Sequence, residues 1–500
     1  MSSGAWVLFA LVLAVCVLGF LGRRWGNANL TEIDEWALGG RRFGTLLSWF
    51  LVGGDIYTAY TFVAVPALVY GIGALGFFPL SLNFVAYPVA FIFLVRFWGI
   101  ARRRGYVTGA DFVRDRFGDR TLEIAVALTG AIALMPYIAL QLVGMQAVFA
   151  QLGGIFAIDK SMPALTIAFV LVAANTYVSG LRAPALIAVV KDTLIYVTVI
   201  VAITVIPAKL GGWPHIFASV QTVLAARPKP ASVLLAPPQY FTYATMAIGS
   251  GIALFLYPSS ITTILAASSK DVLRRNAVLL PIYTLLLGFL ALLGYCAIAS
   301  GITVAHGSSS VIPLLFARYF PGWFAGVAGA AIVIGALVPA TIMCIGAANL
   351  LASNVVREFS ADRKPLAVGA VKGFTLLMSA GGLLFVFFFP VTFAIDFQLL
   401  GGSLIVQTFP AFALGLFTRW FHPRALLAGW AVGIAASCAM AYAAGFASTF
   451  TIDIFGAHLN GFIAVYSLVA NLAVAVAATL LFRVFGVPAG NDRTLAGDYA

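Results

Sequence analysis

The sequence predicts an all-α polytopic membrane protein of about 13 transmembrane helices, and three observations carry that reading. Only 9% of the 500 residues are charged while 62% are apolar, against about a quarter charged in ordinary soluble domains. Mean hydropathy is +1.03. The apolar residues come in runs of about 18 or more, the length that crosses about 30 Å of hydrocarbon. A transmembrane β-barrel is excluded, because its strands would alternate apolar and polar residues at period two.

The net charge of +12 belongs to a membrane face and not to a nucleic-acid footprint. Lys and Arg collect in alternate connections: Arg23, Arg24, Arg41 and Arg42, then Arg102, Arg103, Arg104, Arg114, Arg116 and Arg120. Lys270, Arg274 and Arg275 follow, then Arg357, Arg363, Lys364 and Lys372, then Arg419 and Arg424. The intervening connections carry Lys160, Lys209, Arg227, Lys229 and Arg318. Cytoplasmic loops are enriched in Lys and Arg, so the chain is expected to start outside and end inside. Cys16, Cys296, Cys344 and Cys438 lie in apolar stretches without metal-ligand spacing, so neither a disulfide framework nor a zinc site is implied.

Ala5 to Leu21 is apolar and is followed, not preceded, by basic residues, which reads as a retained first span and not a cleaved leader. Further spans are expected at roughly 44–70, 74–98, 121–150, 162–180, 184–207, 241–267, 277–304, 323–352, 373–390, 392–418, 425–446 and 461–484. Starting outside and alternating, every basic connection falls on the inner side. The longest outer connection, Gly211 to Tyr240, carries Pro214, Pro228, Pro230, Pro237 and Pro238 and reads as a loop or interfacial lid. The tail from 487 to 500 is polar and is expected to be mobile.

Two spans are interrupted. The second holds Gly53-Gly54-Asp55 at mid-depth, and the seventh holds Gly249, Gly251 and Pro258-Ser259-Ser260. Such residues let a helix unwind at the bilayer centre, where freed carbonyls coordinate a cation or substrate. The two breaks lie five spans apart, the spacing of an inverted-repeat secondary transporter.

Few ionisable residues sit deep in apolar runs: Asp55, Lys191 and Asp192, with Asp396 nearer a span end as a helix-start or outer-mouth residue. Placing such a group at the bilayer centre costs about 2.5–3.5 kcal/mol on insertion scales, so a functional site is the default reading. Asp55 with backbone oxygens of Gly53 and Ile56 reads as a hard-oxygen cation site or a proton site. Lys191 either snorkels to the inner interface or places its ammonium where a sodium ion would sit. Together Asp55, Lys191 and Asp192 carry one net negative charge, which one proton or monovalent cation neutralises.

The segments Ala37-Leu38-Gly39-Gly40-Arg41-Arg42, Gly109 to Gly118 (ending Arg116-Phe117-Gly118) and Ser179-Gly180-Leu181-Arg182-Ala183 with Lys191-Asp192-Thr193 resemble, in this order, those of the sodium:solute symporter family. Gly401 to Arg419 and the Gly429 region resemble its tenth and eleventh helices. Gly54 to Tyr60, Lys191 to Tyr196 and Leu256-Tyr257-Pro258 are most similar to its bacterial monocarboxylate permease branch.

The resemblance implies a five-plus-five inverted-repeat, leucine-transporter-like core over 40–420, with repeats at about 40–210 and 240–420. One extra helix (1–24) precedes it, and two peripheral helices (425–486) and a cytoplasmic tail (487–500) follow. It further implies a non-enzymatic importer of lactate, pyruvate, propionate or alanine in a bacterial inner membrane. The protein would work as a monomer without a cofactor, coupled to Na+ or H+, with a small carboxylate, the coupling cation and lipid as its partners. The alternative cargo is an amino acid such as proline, or pantothenate. Gly53 and Ile56 would supply carbonyls to the shared sodium site, with Asp55 and Asp192 near the ion path. One departure stands out: the hydroxyl pair expected from the eighth core helix is replaced by Val338 and Pro339, leaving Thr341 the nearby hydroxyl. Around a small anion the breaks would place Thr58, Tyr60 and Thr61, and Tyr257, Ser259, Ser260 and Thr263. Tyr137, Gln141, Gln398, Ser403 and Gln407 would close the pocket.

Overall fold

The computed structural model describes residues 3–22, 32–152, 161–228, 230–304, 309–360, 366–389, 395–454 and 456–499. Arg23, Arg24, Lys160, Lys229, Arg363 and Lys364, counted above among the loop charges, lie outside the described residues. Among the described residues nine helices are long and apolar enough to cross a membrane, or ten if one bent pair is a single span. Three shorter apolar helices join them: Ser3–Gly19, Thr45–Ile56 and Pro163–Val178.

The central post is Gly322–Leu350, apolar on every side and buried from Ala328 onward. It packs against Arg120–Leu152, Arg182–Lys209 and Ser3–Gly22. Small residues set that last contact: Gly322 and Gly326 stand one turn apart, and a Cβ on either would meet the chain around Ser3 and Gly4. A Gly-x-x-x-Gly stripe lets two membrane helices approach backbone to backbone.

Both expected interruptions are present. Thr45–Ile56 stops where Tyr57 turns extended (φ −95°, ψ 93°), and the chain restarts as a wide π turn, Tyr60–Ala64, running into Val65–Ile72. Tyr240–Leu254 stops before Pro258–Leu265, which leaves at 47° to it. Pro258 has no N–H to continue the first ladder but suits the start of a new helix. A short parallel bridge joins Phe43 to Ala267, with Phe43 N–H donating to the Ala266 carbonyl at 3.1 Å. One half-helix leaves that bridge and the other arrives at it, so Thr45–Ile56 and Pro258–Leu265 lie side by side in opposite directions. The two breaks thus face one another.

Three segments differ from expectation. The connection read as a loop or lid contains a helix, Trp213–Ala225, whose Ile216, Val220 and Leu224 form one buried stripe against Pro281–Ala299. An antiparallel hairpin, Thr449–Ile454 with Ala457–Phe462, joins the last two long helices, Pro423–Ala443 and Ile463–Val484. It docks on the seventh span through Phe462 N–H donating to Thr245 Oγ1 at 3.1 Å.

The tail, expected to be mobile, packs on the basic end of the bundle. Asp498 accepts two hydrogen bonds from Arg104, at 2.8 and 2.6 Å, and Asp492 pairs with Arg116 at 2.9 Å and Arg419 at 3.2 Å. The Tyr499 ring lies under the guanidiniums of Arg96 and Arg116. The Arg104 hydrogen bonds hold the Asp498 carboxyl below the usual carboxylate range. Its contribution to docking is therefore present above that range and is lost as pH falls through it. Beneath the breaks, Thr108 donates to Asn354 Oδ1 at 2.7 Å, and Asn354 Nδ2 donates to Asp111 and Glu123 at 2.8 and 2.9 Å, closing the basic end. Exchange of Asp492 and Asp498 for Asn is expected to release the tail, read as several-fold faster tryptic cleavage at Arg493 in limited proteolysis at neutral pH.

Candidate functional site

The first break frees backbone acceptors, and a buried ammonium takes them. Lys191 and Asp192, adjacent on Arg182–Lys209, are both fully buried. Lys191 Nζ donates to the carbonyls of Gly54 (3.0 Å) and Tyr57 (2.9 Å) and pairs with Asp192 Oδ1 at 2.9 Å. Two hydrogen bonds and one ion pair hold the group in place. Snorkelling is therefore not what this side chain does. The acceptors fall one residue beyond the expected Gly53 and Ile56, because the Gly53 carbonyl still accepts from Tyr57 N–H (2.8 Å) inside the helix. Ile56 instead presents its side chain to an adjoining cavity.

Burying an ammonium and a carboxylate costs several kcal/mol per ion unless hydrogen bonds satisfy what remains. Asp192 Oδ2 accepts from Tyr283 OH at 2.8 Å, which completes the pair. Tyr283 reaches that place by lying on Gly53, where a Cβ would overlap its ring, and it stacks against Trp49 and Tyr57 at centroid distances of 4.7 Å. The same glycine pair thus opens the break and admits the ring.

Asp55 points the other way, toward the second break. It is buried, and its Oδ2 lies 2.9 Å from Ser260 Oγ. Ser260 Oγ is also 3.0 Å from the Leu254 carbonyl, while Asp55 Oδ1 has no protein partner. Ser259 is buried beside it, its backbone seated on Gly346. Thr263 Oγ1 donates to the Ser260 carbonyl at 2.9 Å and stays within its own helix.

Thr58 and Gln141 bind the chain itself. Gln141 Oε1 accepts from Ala59 N–H at 3.0 Å, its Nε2 donates to Thr58 Oγ1 at 3.3 Å, and Thr58 Oγ1 accepts from Tyr60 N–H at 3.0 Å. These bonds cap the restarting half of the broken span. Tyr257 donates to the Gln398 carbonyl at 2.9 Å and leans on Tyr137, with ring centroids 5.3 Å apart.

Between the breaks lies a small cavity whose polar lining is Tyr57, Tyr60, Thr61, Asn83, Tyr137, Ser250 and Gln398. Its free volume of about 10 Å³ admits about one water molecule. Asn83 and Ser250 escaped the sequence reading. Their signals were weak: a single amide within Phe78–Arg104, and a hydroxyl between Gly249 and Gly251. Three expected residues face elsewhere. Gln407 is engaged by Ser467 (2.8 Å) and Asn471 (3.1 Å) of the last helix, with Ser403 beside it on the same network. Thr341 donates to the Leu337 carbonyl (2.9 Å) and lies against Asn175 and Thr176, so it belongs to a helix contact. Asp396 sits in the first turn of Ile395–Ile405, as expected of a helix-start residue. No cluster of three or more His, Cys, Asp or Glu able to hold a metal occurs among the described residues.

Because Gly53 carries the Tyr283 ring, Gly53→Ala is expected to cost about 1–3 kcal/mol through overpacking, read as a lowered thermal midpoint of the detergent-purified protein. Gly44→Ala, whose Cβ would meet nothing within 4 Å, is the matched control.

Comparison with known proteins matches this arrangement to one family. Residues 36–364 match the model of the sodium:solute symporter family. A protein of Rhizobium johnstonii named monocarboxylate transport permease is 48% identical over 477 residues, covering 95% of this chain and 96% of that one. An uncharacterized symporter of Bacillus subtilis is 34% identical over 430 residues, covering 85% of each chain. In structure, a Na+-coupled sialic acid symporter superposes with a TM-score of 0.75 at 17% identity, covering 99% of this chain and all of the other. A nucleobase-cation-symport-1 family transporter does so at 0.56 and 12%, covering 92% and 97%. These two share the fold, an inverted-repeat core with two broken helices. By its matched segments and its relatives, the chain belongs to the sodium:solute symporter family.

Proposed function

We propose that this symporter imports short monocarboxylates across a bacterial inner membrane by alternating access, and that a proton drives it. The observation that carries the choice of ion is Lys191: its ammonium already holds the carbonyls that the break frees. A sodium ion takes several oxygen ligands at fixed distances, and here two of the carbonyls at the break, those of Gly54 and Tyr57, already face a fixed cation while the Gly53 carbonyl stays in its helix. Val338 and Pro339 add no hydroxyl from the eighth core helix, and Thr341 is committed to its own helix contact.

Asp55 supplies the titrating group. Ser260 has one hydroxyl proton but two acceptors within reach, the Leu254 carbonyl and Asp55 Oδ2. When Ser260 donates to the carbonyl, the second contact is a hydrogen bond only if Asp55 carries the proton and donates it. Proton loading on Asp55 therefore couples the two broken helices. With Lys191 and Asp192 cancelling, protonated Asp55 leaves the core neutral and able to admit one carboxylate. Rocking of the repeats about the breaks then exposes the cavity to each side in turn. The name of the Rhizobium johnstonii relative supports the cargo, and the basic connections support an outer N-terminus and a cytoplasmic C-terminus. We read the working unit as a monomer.

In proteoliposomes, labelled lactate is expected to accumulate against its gradient when the outside is acid, with sodium fully replaced by choline. Uptake that requires sodium and ignores the pH gradient would overturn the proton reading. Asp55→Asn is expected to abolish accumulation while the protein still inserts and purifies as a folded species. Gradient-driven uptake retained in that variant would remove Asp55 from the mechanism.

A further inference from the structure

We propose that the cavity between the breaks selects a monocarboxylate bearing a hydroxyl on the carbon next to the carboxylate, and that Asn83 and Ser250 are specificity-determining residues for it. This inference rests on the transport reading above. It starts from a coincidence of unpaired atoms. Tyr57 OH, Tyr60 OH, Asn83 Oδ1, Ser250 Oγ and Gln398 Oε1 are buried side-chain atoms without a protein partner, and all five residues line this one cavity. Each residue is more than nine-tenths buried. Buried polar groups are nearly always hydrogen-bonded, so five exceptions at one cavity describe a partner that is not part of the chain.

The five atoms are not alike. Tyr57, Tyr60 and Ser250 present hydroxyls, which donate to a carboxylate. Asn83 and Gln398 present amide oxygens, which accept. Asn83 is held in that orientation because its Nδ2 donates to the Pro79 carbonyl at 3.2 Å. The Gln398 backbone is pinned in turn by Tyr257. The cavity holds about one water in this closed arrangement, so the ligand enters when the repeats part, and one that satisfies this set offers both acceptors and a donor. A short 2-hydroxy acid does so. Propionate has no donor for the amide oxygens, and pyruvate offers a second acceptor in its place. The residues lining the cavity include no Asp or Glu to receive the ammonium of an amino acid. A site built to hydrogen-bond a substrate hydroxyl discriminates strongly against the analogue that lacks it, because its own buried groups are then left unpaired.

The test is competition against labelled L-lactate uptake in proteoliposomes by glycolate, propionate, pyruvate and L-alanine, in the wild type, Ser250→Ala and Asn83→Leu. In the wild type the 2-hydroxy acid is expected to inhibit at concentrations about tenfold or more below the other three. Asn83→Leu is expected to bring the lactate-to-propionate KM ratio to within about threefold of unity, by raising KM for lactate. Ser250→Ala removes one oxygen with little change of volume, and it is expected to shift the same ratio in the same direction. Because each ratio is taken within one preparation, reduced yield of a variant does not mimic the effect. Equal inhibition by glycolate and propionate in the wild type, stronger inhibition by alanine, or an unchanged ratio in both variants would overturn the subsite alone. Failure of the wild type to accumulate any monocarboxylate would overturn the transport reading, and the subsite with it.

Discussion

A single buried ammonium organises the centre of this molecule. Lys191 is sealed from solvent, donates to two carbonyls of an interrupted helix and forms an ion pair with the carboxylate of the next residue. An isolated charge at that depth would neutralise itself or draw in water. In this core the interruption of the helix and the charge stabilise each other: carbonyls stripped of their N–H partners need a donor, and the ammonium needs oxygens. Removal of either partner leaves the other uncompensated in a low-dielectric interior, which is worse than having neither.

Other features follow from that pairing. Tyr283 satisfies the second oxygen of Asp192 and can do so only because Gly53 has no side chain. The break then turns Asp55 away from Lys191 toward Ser260, so a single hydroxyl links the Asp55 carboxyl to the second break. Gln141 caps the restarting half and fixes where Tyr60 emerges into the cavity. Ion centre, inter-repeat contact and cavity are therefore three faces of the same interruption. Changes of tilt between the repeats act on all three at once, which is what a coupled carrier needs.

Much of this was legible in the chain, for identifiable reasons. Charges in apolar runs are conspicuous, so Asp55, Lys191 and Asp192 stand out in the sequence itself. Gly53-Gly54 and Pro258 announce the breaks, because backbone chemistry forces them. The register of the freed carbonyls was not legible: whether Tyr57 N–H still reaches Gly53 depends on where the chain turns extended, and tertiary packing decides that. Asn83 and Ser250 carry no periodic signal and become meaningful only when two distant helices place them at one cavity. Gln407 looks like a pocket residue by its position on the tenth core helix, yet Asn471, sixty-four residues on, claims it. The helix Trp213–Ala225 is hidden by surrounding prolines, although its apolar residues recur every fourth position. The tail looks mobile because it is polar, but its acids match arginines nearly four hundred residues earlier.

Equilibrium binding of radioactive sodium to the purified protein examines the central pairing most directly. An ammonium fixed on the Gly54 and Tyr57 carbonyls leaves no seat for the ion, so the wild type is expected to show no saturable sodium binding at millimolar concentrations. Saturable binding of one sodium ion per wild-type chain, weakened by Asp55→Asn, would contradict the role of Lys191 as the cation that takes sodium's place at the break.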